Sequence, residues 1–356
     1  MNSHQQGLPQ HGASDEAAWP DRVEDVAALE ELLSRPDAQV AGDLAALDGD
    51  IAVIGVAGKV GPTLARMAKR AAPDKRVFGV ARFGEPGVRE RLEEWGVETV
   101  RCDLLDRAAL ESLPPARNVV FMAGRKFGSS GDQALTWAMN AYMPGMVAEA
   151  YRASRIVAFS TGCVYPFVPV TEMGATEDVL PDPPGEYANS CVGRERMFEY
   201  FSGLHGTPGR LFRLNYAIDL RYGVLHDIAR AIHEDRPVDL STGHVNVIWQ
   251  GDVNRFALRA LGRATSPTTP LNVSGPETFA VRWLAEELAA RLGKPVAFSG
   301  EPADSAWLNN SARAFGLFGY PSVPIVRMLD WVADWVARGM PSLDKPTKFE
   351  SRDGRY

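Results

Sequence analysis

The eleven residues Ile51-Ala-Val-Ile-Gly-Val-Ala-Gly-Lys-Val-Gly61 decide how this chain is read. Ile51 to Ile54 is a short apolar run, the pattern of a strand buried on both faces. It runs into Gly55, Gly58 and Gly61, then into Pro62-Thr-Leu-Ala-Arg-Met-Ala-Lys69, a helical stretch with proline in its first turn. A strand, a glycine-rich turn and a helix N-terminus together make an anion site. The glycines let the backbone approach a phosphate closely, and the unpaired helix N–H groups face its charge. The spacing is G-x-x-G-x-x-G rather than G-x-G-x-x-G.

Outward from that stretch, strands and helices alternate. The stretches at 76–81, 97–102, 118–123, 155–160 and 210–215 read as strands, and the segments at 87–95, 107–113 and 132–153 read as helices. Such alternation predicts right-handed crossovers and a parallel, doubly wound α/β sheet of about seven strands, of the Rossmann type. Farther on, helices are expected at 224–235, 252–262, 281–292 and 323–338, with strands at 245–249, 271–274 and 295–299. Residues 1–19 are polar and expected to be a disordered tail. Residues 20–49 read as a helical extension: Asp21 resembles a helix cap, with Glu24 three residues on and a helix over 22–34. That helix lies outside the main domain and packs on the body or on another subunit.

Composition narrows the function. The 356 residues are 45% hydrophobic and 23% charged, enough for a large globular core, and the net charge of −7 has no basic stripe to suit nucleic acid. No apolar run approaches the roughly 20 residues of a membrane helix. The N-terminus lacks the charged and apolar regions of a secretory signal. Cys102, Cys163 and Cys191 have neither C-x-x-C spacing nor paired histidines nearby, so no metal site or disulfide framework is expected, and the cytoplasm is the expected compartment.

Several further motifs follow in a fixed order, and together they resemble the extended short-chain dehydrogenases/reductases, the NAD-dependent epimerase/dehydratase family that includes UDP-galactose 4-epimerase. The resemblance spans about residues 50–338. It implies that Gly55, Ala57, Gly58, Lys59, Val60 and Gly61 form the phosphate loop. Cys102-Asp103-Leu104 matches the family's x-D-L after the third strand, which places the Asp103 carboxylate on an adenine amino group. Phe121-Met-Ala-Gly-Arg-Lys126 matches the turn beside the cofactor, formed by Ala123, Gly124 and Lys126, and Asn140 matches an asparagine that organises the sheet. Ile248-Trp-Gln-Gly-Asp252 and Leu271-Asn-Val-Ser-Gly-Pro276 resemble two later segments. The second strand ends Val80-Ala81-Arg82 with no carboxylate until Glu85. An arginine there accepts a ribose 2′-phosphate, so NADP is preferred over NAD, the alternative being an exposed surface arginine.

The resemblance also implies catalytic residues. Ser160-Thr161-Gly-Cys163-Val-Tyr165 resembles S-S-x-x-V-Y-G and puts Thr161 at the Ser/Thr that holds the reacting oxygen. Tyr187 matches the tyrosine of Y-x-x-x-K, but the residue four positions on is Cys191. Residues 187 and 191 share a helix face. A lysine there lowers the phenol pKa, whereas a neutral thiol gives no charge. An unassisted phenol with pKa about 10 is only about 0.1% ionised at pH 7. Proton abstraction by Tyr187 then needs another cation, for which Lys126 and the oxidised nicotinamide are the candidates. Cys191 reads either as a nucleophilic or redox thiol, with Cys163 as its candidate partner, or as a small buried hydrophobe.

On the substrate side the candidates are Tyr165, Asn189, Asn215 and Arg221. Arg221 would pair a substrate carboxylate or phosphate, or else form a structural salt bridge. The expected organisation is an NAD(P)-binding domain at 50–217 with 239–272 returning to it. A smaller C-terminal substrate domain follows at 218–238 and 273–342, and a tail at 343–356. The expected function is that of an NAD(P)-dependent oxidoreductase or epimerase/dehydratase acting on a sugar, sugar acid or nucleotide-sugar hydroxyl. The alternative is a family member kept for binding or regulation. The expected partner is a small sugar-like molecule, with no nucleic acid and no membrane. The resemblance implies a homodimer formed through the helices at 132–153 and 186–203.

Overall fold

The computed structural model describes residues 19–126, 128, 131–345 and 347–354; the tail expected over 1–18 lies outside them. Seven parallel strands make the central sheet: β1 (Ile51–Ile54), β2 (Val77–Ala81), β3 (Glu98–Arg101), β4 (Asn118–Phe121), β5 (Arg155–Thr161), β6 (Gly209–Leu214) and β7 (Thr269–Val273). Their spatial order is β7-β6-β5-β4-β1-β2-β3. β1 lies inside the sheet, with Ile51 opposite Val77 on one side and Asn118 on the other. The winding reverses between β1 and β4, and a crevice opens there beyond the carboxyl ends of the strands.

The inner strands β1, β2 and β4 are buried along their whole length because both faces of the sheet are covered there, whereas the edge strand β3 is polar and partly exposed. Ile51 and Val53 enter one core, Ala52 and Ile54 the other. The first core is closed by α2 (Ala38–Ala45), α3 (Gly61–Ala71), α4 (Val88–Glu94), α10 (Gln250–Ala260) and α12 (Ala312–Phe318). The second is closed by α5 (Arg107–Glu111), α7 (Met143–Ala150) and α8 (Glu186–His205), with α6 (Gln133–Trp137) beside α8. A separate core gathers α1 (Val26–Leu33), α9 (Val224–His233), α11 (Val281–Leu292) and α13 (Ile325–Ala337) around Trp249, Trp331 and Trp335. Among the described residues no helix is long and apolar enough to cross a membrane.

Five elements differ from the sequence reading. The N-terminal extension holds two helices, α1 and α2, capped by Asp25 and Asp37 rather than Asp21, and both pack on α3 and α10 of the main body. The helix expected over 132–153 is interrupted by a π-turn at Ala138–Tyr142. Pro144 has no N–H for the normal ladder, so the hydrogen-bond register shifts just before it. The strand expected at 245–249 is two short bridges, His244–Val245 and Ile248–Trp249, and that at 295–299 shrinks to Phe298–Ser299. The stretch read as a tail folds back on the body: Phe349 is buried in the third core.

Candidate active site

The glycine turn after β1 has a different steric reason at each position. Gly55 has φ +89°, and a Cβ there would lie 2.6 Å from the Ala123 nitrogen, so the turns after β1 and β4 touch backbone to backbone. A Cβ on Gly61 would collide with the Val56 carbonyl. Gly58 is crowded by nothing: its Cβ would meet only the Gly55 oxygen, at 3.5 Å. The protein itself needs no glycine there, whereas a phosphate lying on the turn would. Beside it α3 starts at Gly61 with Val60 offering no side-chain cap, which leaves its first N–H groups to a ligand. The turn therefore fits a dinucleotide pyrophosphate, with Ala57, Lys59 and Val60 completing it. Asp103, past the end of β3, is exposed, and its carboxylate accepts from Leu105 N at 3.1 Å, while Leu104 is buried. Arg82 is exposed beyond the end of β2.

The next wall is built by β5 and α8. Thr161 ends β5 and its Oγ1 accepts from Cys163 N at 3.1 Å, which fixes the hydroxyl at the mouth of the sheet. Tyr187 stands in the first turn of α8 and packs against Cys163, Ala188 and Trp307. Cys191, one turn on, is completely buried in a cluster against which Tyr187 packs. Burial pushes the Tyr187 phenol well above its ordinary pKa, and the neighbouring thiols Cys191 and Cys163 add to the rise, while Arg194 opposes it. Burial likewise raises Cys191, so the thiol is neutral at neutral pH and packs as a hydrophobe with Val164 and Ala306.

Two lysines face this wall across a cavity of 190 Å³ lined by Lys59, Lys126, Thr161, Cys163, Tyr187 and Asn215, among others. Lys126 Nζ lies 6.0 Å from the Tyr187 ring centre and donates to the Thr347 carbonyl at 3.0 Å. Lys59 Nζ rests 3.4 Å above the centre of the Tyr222 ring. Desolvation lowers both ammonium groups. Lys59 falls to about 7, with the charges of Lys126 and Lys345 contributing, and Asp227 partly offsets the effect. The Tyr222 face, an attractive seat for a cation, also works against that fall.

Beneath the cavity, side chains on α8 tie the sheet to the turn after β4. Arg194, on the Tyr187 and Cys191 face of the helix, donates to Phe159 O and Asn140 Oδ1, each at 2.8 Å. Asn140 accepts from Arg125 N and donates to Arg125 O, which shapes the turn carrying Ala123, Gly124 and Lys126. A Cβ on Gly124 would strike the Arg194 guanidinium and displace it from Asn140. Glu195 takes both Arg213 prongs at 2.7 and 2.9 Å and the Ser160 hydroxyl at 2.6 Å. Arg194 was missed in the sequence, although its i+7 spacing from Tyr187 was visible there. So was Asn309, whose buried side-chain amide has no hydrogen-bond partner among the described residues and lies against Gly162.

The substrate-side expectations divide. Asn215 lines the cavity and its amide donates to Trp307 O at 3.0 Å. The other three are drawn into structural bonds. Tyr165 is buried, bonded to Arg213 and Asn272, and burial pushes its phenol up to about 12. Asn189 donates to Pro183 O and Gly185 O in the loop before α8. Arg221 forms a buried salt bridge with Asp219 and Glu30, which is the structural alternative rather than a substrate contact. A buried guanidinium needs full-time carboxylate partners, and α1, unforeseen on this face, supplies one of them.

A crevice at the sheet's switch point, an uncapped helix behind a glycine turn, and a threonine and tyrosine facing that turn define a dinucleotide-binding α/β enzyme. The chain belongs to the NAD dependent epimerase/dehydratase family, whose model matches residues 51–266. Among solved structures it is similar to the UDP-glucose 4-epimerase of Thermus thermophilus in complex with NAD, at 22% identity and TM-score 0.68, covering 82% of this chain and 99% of that one. It is similar too to the UDP-glucose 4-epimerase of Thermotoga maritima, solved with UDP-glucose (18%, TM-score 0.70, 82% and 99% covered). A third is a tyrosine-to-phenylalanine mutant of the UDP-glucuronic acid 4-epimerase of Bacillus cereus, solved with NAD and a fluorinated UDP-glucuronic acid (19%, TM-score 0.68, 81% and 99% covered). No curated protein matches the chain.

Proposed function

We propose that the protein is an NAD-dependent oxidoreductase or epimerase/dehydratase acting on a hydroxyl of a sugar, sugar acid or nucleotide-linked sugar. An NAD seated on the glycine turn of residues 55–61 would supply the hydride acceptor or donor. Thr161 holds the reacting oxygen, and Tyr187 takes or returns its proton. Lys126 supplies the positive charge that position 191 lacks. The carrying observation is the Lys126 ammonium beside the Tyr187 ring in the cavity that also holds Thr161 and the glycine turn. A cation near a buried phenol favours the phenolate.

The test is turnover with NAD on UDP-glucose, UDP-glucuronic acid and the free sugars. Tyr187→Phe should abolish it, and Lys126→Met should lower kcat/KM about 100-fold, the usual worth of acid–base assistance. Without Lys126 the phenol pKa rises, so the rising limb of the pH–rate profile moves to higher pH. An unmoved limb would remove Lys126 from the chemistry. A second reading, a member retained for binding rather than turnover, is supported by the strongly raised Tyr187 phenol and the neutral Cys191; NAD binding with no turnover on the whole panel would favour it.

NAD is the reading the solved neighbours support. The exposed Arg82 supports the NADP alternative, which predicts that Arg82→Ala weakens NADP at least tenfold and leaves NAD unchanged. The exposed Trp137, Tyr142, Tyr200 and Leu204 on the α6–α7 and α8 segments support a homodimer through these helices. Three free, buried thiols support residence in the reducing cytoplasm.

A further inference from the structure

The chain from Thr347 to Gly354 has no periodicity of its own, yet it is fastened at every few residues. Thr347 N and Oγ1 both donate to Asp227 Oδ2 on α9, at 2.7 and 2.6 Å, and Thr347 O accepts Lys126 Nζ. Phe349 is buried in the α9–α11–α13 core. Arg352 donates to Ser305 O and Oγ at 2.6 and 3.0 Å, with its guanidinium 4.0 Å from the centre of the Phe167 ring. Gly354 and Gly185 lie backbone to backbone, since a Cβ on Gly185 would come within 2.8 Å of Gly354 Cα. Gly185 is the N-cap of α8, two residues before Tyr187. The segment thus passes from α9 to the start of α8, and its first residue lines the cavity.

We infer that this segment is a working part of the active site, in which Thr347, anchored on Asp227, is the positioning residue that holds the Lys126 ammonium against Tyr187. The inference rests on the reading of Lys126 as the cation of the site. A lysine side chain has four rotatable carbon-chain torsions to immobilise before it can act from one place. A backbone carbonyl pinned through its own N–H and hydroxyl is a rigid acceptor that limits that freedom in advance. The groups facing Lys126 are Asp227 on α9, Glu350 in the segment, Cys163 after β5, Cys191 on α8, Lys59 in the glycine turn and the Tyr187 ring; those facing Tyr187 are Lys126, Cys191, Cys163 and Arg194.

The sign of one measurement separates positioning from plain charge. The probe is the Tyr187 phenol pKa in the NAD-loaded full chain, followed by ¹³C-tyrosine NMR and assigned by its loss in Tyr187→Phe. Removing a negative charge in Asp227→Ala should by itself lower that pKa. Release of Lys126 should raise it, and we expect a rise of about one unit, with a smaller rise in Thr347→Val and recovery in Thr347→Ser. In parallel, trace acetylation of Lys126 by acetic anhydride should speed up at least tenfold in Asp227→Ala. A fall or no change in the Tyr187 pKa of Asp227→Ala, or unchanged Lys126 labelling, overturns the inference. Lys126→Met distinguishes the two levels: if it leaves the Tyr187 pKa unmoved, the reading of Lys126 as the cation fails. If it raises the pKa while Asp227→Ala does not, that reading stands and the positioning role falls.

Discussion

Two residues in the site have the wrong chemistry for their surroundings, and each has a measurable consequence. Cys191 is a neutral, buried thiol where a charge would assist Tyr187, so any assistance comes from elsewhere in the fold. Lys59 is a cation in a desolvated cleft, with a pKa near 7. Between about pH 7 and 10 the unfolded chain binds a proton at this lysine that the folded chain does not, so this group makes stability rise with pH across that window. Below about pH 7 the full cost of the buried ammonium is present. Lys59→Met should therefore stabilise the cofactor-free protein most at about pH 6 and progressively less toward about pH 10. Urea denaturation at several pH values measures this, and an advantage that does not change with pH would contradict the assignment. The Cys191 consequence is legible in the sequence, from its place four residues after Tyr187; the Lys59 one is not, because it depends on which distant groups surround the side chain.

At the scale of elements, the glycine turn allows one of its roles to be separated from the others. Gly58→Ala places a methyl in open space and should leave the denaturation midpoint unchanged while weakening NAD binding at least tenfold. Gly61→Ala drives a methyl into the Val56 carbonyl and should cost about 1–3 kcal/mol of stability whether or not NAD is present. If Gly58→Ala bound NAD normally, the turn would not be the phosphate seat. This turn was legible because all its parts are local: a strand, three glycines and a proline within a dozen residues. β1, β2 and β4 were legible for the same reason, each being a short, largely apolar run bounded by turn residues, whereas the polar edge strand β3 was legible only from the alternation of elements around it. The π-turn was not, since Pro144 is also compatible with a kinked helix. Nor was α12, a helix of seven residues too short for a clear period. The bridges near 245 and 298 are set by pairing with distant strands, and their own sequence does not specify them.

At the scale of the whole molecule, the faces of α6, α7 and α8 that do not enter a core carry Trp137 (40% exposed), Tyr142 (56%), Tyr200 (61%) and Leu204 (58%). Aromatic side chains left in water on paired helices suit association with a second copy, which needs roughly 1,000 Å² or more of buried surface. The double variant Tyr200→Glu with Leu204→Glu should convert a dimeric mass to a monomeric one in light scattering, without loss of helical circular dichroism. A wild-type protein that is already monomeric at micromolar concentration would refute the dimer. Long-range organisation was the least legible level of all. Lys126 and Thr347 stand 221 residues apart, and nothing in either neighbourhood announces the other. Arg221 found its second carboxylate on a helix 191 residues upstream. Local pattern therefore gave the sheet and the positions around the cavity, but not the closing segment that joins its two sides.

That segment also bears on timing. Just before it, Lys345 is paired with Glu85 in the loop after β2, at 2.8 Å, and just after it begins, Thr347 joins Lys126 to Asp227. The loop after β2 and the turn after β4 are thus both tied to this stretch of chain, and a dinucleotide seated behind these bonds would leave only as they open. Local openings of this kind are slower than diffusion through a standing mouth. A bound dinucleotide should accordingly have a long residence time, behaving more like a fixture of the protein than a passing co-substrate, and exchange of radiolabelled NAD into the loaded protein should be slow on the scale of mixing.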